Sequence, residues 1–363
     1  MLGRIQSHYQ RVKALYKEYE RVLMPALIAW GFIFHYITFR IISVTDILYL
    51  VFDYLILATL TIFFIDLYDQ GLIREKFRYV RLFAPLLLQF TLGSIIGGVF
   101  IFYWFSGSVA VSWPFITLVV VILVGLEFYK HYLENPIVQL ALYDFAAFLM
   151  LAVALPFIFR SINPGLFIMA GVISLALVFG ILWSLKKSPA IQNYKTKIII
   201  VCVAIFAIMN VFYFYNFIPP VPLSIRDSGV YHDVQFSSGH YTVDSEKESF
   251  WQHFKLTPTY HLASGERIFV FSSIYSPDDL DTDIVYDWQF YDTTQDKWID
   301  KGKTSSHLIG GRQGGYGGYS YRINPAAGKW RVYIETPRGQ VLGRHVFDVQ
   351  TVSQTPALQT EIR

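Results

Sequence analysis

The chain is short of cysteine and of charge. Its 363 residues include a single cysteine, Cys202, so no disulfide can form within the chain and any domain outside a membrane depends on its apolar core. Only 16% of the residues are charged and 54% are hydrophobic, a composition typical of membrane proteins. The net charge of +3 is too small to indicate a nucleic-acid-binding protein, and we predict that no nucleic acid is bound.

Several signatures of catalysis and metal binding are also missing. The glycine-rich run Gly310–Ser320 lacks the Gly-Lys-Ser/Thr ending of a phosphate-binding P-loop, and no helical pattern follows it. The serines of Ser237–His240 lack the nucleophile elbow of a hydrolase. No H-x-H or H-x₃-H pair occurs among the six histidines of the C-terminal region, which are His232, His240, His253, His261, His307 and His345. We therefore predict no catalytic residue, no metal and no cofactor.

Long apolar runs fill the first 220 residues, and we predict that they form seven membrane-spanning helices. Each run approaches the roughly 20 residues that are needed to cross the hydrocarbon core of a bilayer. Segment 22–218 is thus predicted to be an α-helical polytopic membrane bundle, and its last span runs from Lys197 into the double proline at 219–220. The predicted spans are 22–39, 47–68, 82–104, 113–129, 137–159, 165–184 and 198–218.

Basic residues are distributed unevenly among the segments that flank these spans. Segment 1–21 carries five of them among apolar residues at helical spacing, which predicts a basic amphipathic helix that lies on the lipid bilayer. Segments on one predicted side carry fourteen lysines and arginines, whereas those on the other side carry two, Arg40 and Arg160. The positive-inside rule therefore predicts a bacterial inner-membrane protein with a cytoplasmic N-terminus and a periplasmic C-terminal domain.

After Val221 the pattern becomes typical of β-strands. Arg267–Tyr275 is rich in β-forming residues, and Asp283–Tyr291 alternates so that Ile284, Tyr286, Trp288 and Phe290 lie on one face. Gly328–Gln350 predicts a hairpin, because Thr336–Gly339 supplies a proline and a glycine at positions that suit a tight turn.

These short strands predict an all-β, immunoglobulin-like antiparallel sandwich over residues 259–350. Segment 219–258 is predicted to be a linker and entry segment, and 351–363 a loose tail. The predicted core contains the aromatic side chains of Trp288, Trp330 and Phe347.

The strand region resembles a known family in three stretches, RIFVFSSIYSP, DIVYDWQFYD and GKWRVYIETPRGQVLGRHVFDV. Together they resemble the bacterial domain-of-unknown-function family twenty-nine fourteen, which ends in a Gly-x-Trp-Arg-Val strand, a turn and a Phe-x-Val strand. The resemblance covers about Thr257 to Val349. The preceding spans resemble the membrane region of a second such family, fifty-nine twenty-four. Neither resemblance implies a catalytic residue.

Polar side chains within the predicted spans are candidate functional residues, and five of them are considered in turn. His35 and Asp53 are at similar depths in consecutive spans, where a hydrogen bond between them is geometrically reasonable. Asp144 is near the expected depth of Gln89 and about 10 Å from the Asp53 layer, and Asn210 is the obvious polar group between these layers. Such residues indicate either a path for protons or ions, or structural polar pairs between helices.

The glycine-rich segment predicts an exposed loop in which Arg312, Tyr316 and Tyr319 bind a glycan or a protein, with a simple turn between strands as the alternative. We expect a non-catalytic anchor, assembly or binding protein that presents its sandwich to a periplasmic or membrane partner. Proton- or ion-coupled transport through the buried histidine and aspartates is the alternative function, and an intramembrane enzyme is the third.

Overall fold

The computed structural model describes residues 44–128, 133–237, 239–247, 257–276, 281–309 and 315–363, together with Gln10, Arg11, Ala14 and Tyr19. The chain divides into two compact units. The helical unit consists of Met1–Phe102, Pro114–Ile158 and Asn163–Tyr215. The β unit consists of Asn216–Arg363 and of two short segments from earlier in the chain, Tyr103–Trp113 and Phe159–Ile162.

Six helices of the described residues are long and apolar enough to cross a membrane. They are α1 (Val44–Asp69), α2 (Arg78–Ser106), α3 (Val109–Phe128), α4 (Pro136–Phe159), α5 (Pro164–Ser184) and α6 (Pro189–Phe214). Each coincides with one of the predicted spans between residues 47 and 218. The predicted span 22–39 and most of the predicted surface helix 1–21 lie outside the described residues.

Local capping sets where the last two helices begin. The Asn163 side chain accepts a hydrogen bond from Leu166 N at 3.0 Å, and Pro164 occupies the first turn of α5. Ser188 caps α6 in the same way, with a proline after it. Helix α6 therefore starts nine residues before the predicted span at 198, and the basic residues at 195 and 197 lie inside a helix rather than in a connector.

Eleven strands form three sheets in the described part of the β unit. The sheet orders are β1-β5-β8, β4-β10-β9-β6-β7 and β11-β3-β2, and every neighbouring pair is antiparallel except β4 and β10. The strands are β1 (Ser224–Tyr231), β2 (Asp233–Ser237), β3 (His240–Glu246), β4 (Thr259–Leu262), β5 (Arg267–Tyr275), β6 (Asp281–Asp292), β7 (Lys297–Ile309), β8 (Tyr316–Ile323), β9 (Gly328–Glu335), β10 (Val341–Thr351) and β11 (Leu358–Ile362).

The three-stranded sheet β1-β5-β8 and the five-stranded sheet share one apolar core. Trp288 lies at its centre, with the rings of Trp330 and Phe347 at 6.2 and 6.4 Å in edge-on contact. The Trp288 indole donates a hydrogen bond to Ser320 Oγ at 2.8 Å, which connects β6 of one sheet to β8 of the other. The core therefore satisfies its polar groups while it excludes water.

Two segments that the sequence left outside the sandwich are strands. The predicted linker 219–258 contains β1, β2 and β3, and the predicted loose tail 351–363 contains β11. Strand β11 pairs with β3, so that Leu358 lies opposite Glu246. Both predictions were wrong. Strand β11 owes its conformation to backbone hydrogen bonds with β3, more than 100 positions away, and β1 owes its own to pairing with β5, across the chain that contains β2, β3 and β4.

Candidate functional site

An exposed aromatic surface lies on the outer face of the sheet formed by β1, β5 and β8. Strand pairing places Arg267 opposite Ile323, and Phe269 opposite Tyr321, with every side chain of these pairs on the same face. Tyr319 lies on that face as well. We call this set (Arg267, Phe269, Tyr319, Tyr321 and Ile323) the tyrosine face.

The rings of the tyrosine face form a continuous row. Phe269 is buried between the two tyrosines, with ring centroids 5.8 Å from Tyr319 and 5.3 Å from Tyr321. The Arg267 guanidinium lies 5.3 Å from the centroid of the Tyr321 ring. Tyr319, Tyr321 and Ile323 remain 40%, 43% and 59% exposed. The face thus presents flat, amphipathic rings beside a cation, on a rigid strand.

A glycine and a third tyrosine form one boundary of this face. The Tyr241 hydroxyl donates to the carbonyl oxygen of Gly317 at 2.7 Å, and the Tyr241 ring lies 5.0 Å from that of Phe271. A Cβ atom at Gly317 would come within 2.2 Å of the Tyr241 ring, so this close approach requires glycine. Strands β2 and β3 therefore cover one end of the outer face and leave the tyrosine face open.

Of the predicted contact residues, the two tyrosines lie on opposite faces of one strand. Arg312 lies outside the described residues, as do positions 310–314 of the glycine-rich run. Tyr316 packs against the core between the sheets, whereas Tyr319 points to the opposite, outer face. Residues 316–320 belong to β8 and are not a loop. In a strand that begins at 316, Tyr319 and Tyr321 are two positions apart and therefore share a face. The sequence analysis did not identify Tyr321.

Four of the described histidines pair with acidic or hydroxyl side chains, and two of these four share one carboxylate. His232 Nε2 lies 3.0 Å from Glu246 Oε1, and His261 binds the same carboxylate through its backbone N–H at 2.6 Å and through Nδ1 at 2.9 Å. Burial alone would raise the pKa of Glu246, but these hydrogen bonds outweigh it and lower the pKa. Among the described residues, no group of three or more His, Cys, Asp or Glu side chains is arranged to hold a metal ion.

A second charged cluster joins three strands of the five-stranded sheet. Lys303 Nζ lies 2.7 Å from Glu335 Oε1 and 3.6 Å from Asp287 Oδ2. Burial raises the pKa of Glu335, and the nearby ammonium group opposes that shift. The hydrogen bond to Glu335 raises the pKa of Lys303 in turn. Lys303 on β7 thus contacts the carboxylate of Asp287 on the neighbouring strand β6 and that of Glu335 on β9, one strand further, so this cluster is a cross-strand ion network.

The polar residues of the helices have different environments. Gln89 donates to the backbone oxygen of Leu126 at 2.9 Å, and Asn210 donates to the carbonyl one turn earlier in its own helix at 2.8 Å. Asp53 is exposed on α1. His35, its predicted partner, lies outside the described residues.

Asp144, on α4, is completely buried. Neither of its carboxylate oxygens has a hydrogen-bond partner among the described residues. Two polar side chains lie beside it, Ser174 on α5 and Cys202 on α6. The Ser174 hydroxyl lies beside the carboxyl group but donates its one proton to the carbonyl oxygen of Gly171 at 2.9 Å. Asp144 is therefore unlike Gln89 and Asn210, whose side-chain amides bind backbone oxygens.

Comparison with solved structures returns distant similarities. An immunoglobulin-like protein from Pseudomonas aeruginosa is 15% identical, over 36% of this chain and 98% of that one, with a TM-score of 0.22. A β-glucosidase from Listeria innocua is 14% identical over 30% of this chain and 16% of its own length, with a TM-score of 0.19. The alkylpurine DNA glycosylase AlkC from Pseudomonas fluorescens is 10% identical over 77% and 83%, with a TM-score of 0.22. A search of curated proteins finds no significant match.

A protein-family comparison bears on the last third of the chain. The matched segment runs from the start of β6 almost to the end of β10 and contains Trp288, Trp330 and Phe347. The expected resemblance began earlier, at Thr257, and the likeness of the membrane region to family fifty-nine twenty-four stays a prediction. Residues 281–349 match the family model described as a protein of unknown function (DUF2914), so the chain carries a domain of unknown function in its C-terminal region.

Proposed function

We propose that this chain is a non-catalytic protein of the bacterial inner membrane that presents an immunoglobulin-like β-sandwich to a periplasmic or membrane protein partner. The tyrosine face is the observation that carries the proposal. Its neighbouring aromatic side chains stay exposed on a well-packed sheet, next to an arginine. Tyrosine and arginine are enriched among the residues that contribute most to binding at protein interfaces.

The chemistry of the face suits a folded or extended protein surface. Tyrosine rings add large contact areas at a small entropic cost, since only two side-chain torsions must be fixed. Strand β8 has one described strand neighbour, β5, and is therefore a sheet edge next to the face. A partner strand could add to this edge through backbone hydrogen bonds while its side chains contact the rings. A glycan could stack on the same rings and is the competing ligand.

The proposed orientation rests on the connectors. The connector between α2 and α3 and that between α4 and α5 contribute segments Tyr103–Trp113 and Phe159–Ile162 to the β unit. Within that unit, Ser108 N donates to Val341 O at 3.4 Å. The two segments contain one basic residue, Arg160, whereas the connectors α1–α2, α3–α4 and α5–α6 contain five, which are Arg74, Lys76, Lys130, Lys186 and Lys187. This difference supports an extracytoplasmic β unit by the positive-inside rule.

Site-specific photo-crosslinking in living cells tests the proposed contact. A benzoylphenylalanine placed at Tyr321 or Tyr319 of the full-length protein should give a discrete protein adduct. The matched control is Thr294, which is exposed in the turn between β6 and β7. Equal adducts at all three positions, or none at the two tyrosines, would contradict the proposal. An adduct that glycosidases remove and proteases leave intact would identify the glycan instead.

Topology requires a separate test. A phosphatase fused after Arg363 should be active, since it folds only after export, and a green fluorescent protein at the same position should be dark if exported through the general secretory route. The opposite pair of results would place the β unit in the cytoplasm.

A second candidate function, a proton-dependent role of the helices, is favoured by Asp144.

A further inference from the structure

We propose that Asp144 is a proton-binding site in the core of the helical unit, reached from the end of α4 that begins at Pro136. The inference does not depend on the partner of the β unit. It starts from a carboxyl group that has no exposed surface and no hydrogen-bond partner among the described residues.

A bare carboxylate at such a position is physically costly. Moving an ionised carboxyl group into apolar surroundings without a partner costs several kcal/mol. The described groups beside Asp144 are the Ser174 hydroxyl and the Cys202 thiol, and no cation among the described residues offsets the charge. The thiol contacts the carbonyl oxygen of Leu140 at a long 3.9 Å, so it too leaves the carboxylate bare. A bound cation would remove this cost.

The proton fits the position better than a metal ion. Sodium, calcium and magnesium require about six oxygen ligands, and Asp144 has one neighbouring hydroxyl, which is already a donor to Gly171. No metal-binding group of three or more His, Cys, Asp or Glu side chains occurs in the described part of the chain. A proton needs one oxygen of the carboxyl group and no cage. The test described below therefore distinguishes a bound proton from a bound metal ion.

Aromatic packing closes one approach to Asp144. One turn further along α4, the Phe148 ring lies 5.1 Å from Phe167 and 6.1 Å from Phe206, and Phe167 stacks on Tyr213 at 4.0 Å. These rings occupy the three helices α4, α5 and α6 towards the Phe159 end. In the other direction, Asp144 is eight residues from Pro136, or about 12 Å along the helix axis. Proton exchange is thus expected from the Pro136 end.

Carbodiimide labelling tests the proposal on the full-length protein in lipid vesicles. The carboxyl O–H adds across a C=N bond of dicyclohexylcarbodiimide, so that oxygen bonds to the central carbon and the proton moves to nitrogen. Rearrangement then gives a stable N-acylurea with no by-product. We expect this apolar reagent to label Asp144 at neutral pH, as located by peptide mass spectrometry, with labelling decreasing as the pH is raised.

Two matched comparisons separate this site from an ordinary acid. Asp69, whose carboxylate binds Arg81 at 2.7 Å through both oxygens, should stay unlabelled under the same conditions. The water-soluble carbodiimide EDC should leave Asp144 unmodified, because the side chain has no exposed surface. Asp144→Asn removes the labelled peptide without changing the side-chain volume. Because wild-type labelling is read directly, the test does not depend on how that variant folds.

Three results would overturn the proposal. One is the absence of labelling at Asp144 in a protein that is correctly inserted. Another is protection by sodium but not by an equal concentration of potassium at constant pH, which would identify a metal-ion site. The third is labelling that does not change with pH. A failure of the partner crosslinking at the tyrosine face would leave the Asp144 result untouched, so the two proposals fail separately.

Discussion

Acidification should lower the free energy of unfolding of the β unit through one histidine, His345. It lies on β10 opposite Val332, on the same face as Phe347 and Val349, and therefore points towards the core. Its Nε2 lies 3.0 Å from Ser228 Oγ on β1, across the two sheets. Burial lowers the pKa of His345 to about 4, and the nearby Asp227 carboxylate offsets this only in part. The folded state thus holds this imidazole in its neutral form.

The sign and size of the effect follow from proton linkage. The unfolded chain has a histidine pKa of about 6.5, so between pH 6.5 and 4 the unfolded state binds more protons than the folded one. The contribution is fully present above pH 6.5 and is lost as the pH falls towards the folded pKa. From one pKa difference, the free energy of unfolding should drop by about 2 kcal/mol between pH 7 and 5, and by about 3 kcal/mol at pH 4. Both values are upper bounds, since the side chain is half-buried.

Urea unfolding of the full-length protein in detergent micelles measures this loss. Fluorescence of the core tryptophans Trp288 and Trp330 reports on the β unit, and the midpoint should shift by about 1 M between pH 7 and 5. His345→Gln keeps a polar side chain that does not titrate, so its midpoint should depend less on pH. Equal pH slopes for the wild type and the variant would refute the reasoning, because another group would then be responsible.

Three further substitutions test the packing of the β unit by the same urea assay. Gly317→Ala should cost about 1–3 kcal/mol, because the new Cβ would displace Tyr241; an unchanged midpoint would show that the ring moves freely. Trp288→Phe removes the hydrogen bond to Ser320 and should cost about 1–3 kcal/mol, read from Trp330, the core tryptophan that remains; an unchanged midpoint would show that the bond adds little. Glu246→Gln should destabilise the protein by about 1–3 kcal/mol at pH 7 and by less below pH 4, since the lowered pKa of the carboxyl stabilises the folded state only above that range.

Strand faces were predictable wherever one side of a strand meets a large core. Ile284, Tyr286 and Trp288 lie at alternate positions of β6, and in the structure all three are buried. The hairpin around Thr336–Gly339 was predictable for a local reason as well. Gly339 has a φ of 85° and donates to Thr336 O at 2.8 Å, so a short turn motif specifies the conformation.

Surface sites were less accessible to sequence reasoning. The glycine-rich run drew attention to Tyr316 and Tyr319 together, but three positions along a strand place two side chains on opposite faces. Tyr321 and Arg267 join the site only through the pairing of β5 with β8, which are separated by about 50 residues. The isolation of Asp144 also depends on which neighbouring groups already have partners, and no spacing rule reports that.

By itself, the sequence determined the division into apolar helices and a β-rich C-terminal region, because hydrophobic length and alternation are properties of short segments. Only the tertiary structure decided that residues 224–246 and 358–362 are strands, that the tyrosine face is open, and that the Asp144 carboxylate has no described partner. The physical reason is that these features arise from contacts between residues far apart in the chain. Backbone pairing, ring packing and competition for hydrogen bonds all depend on these distant contacts, which local sequence preferences do not specify.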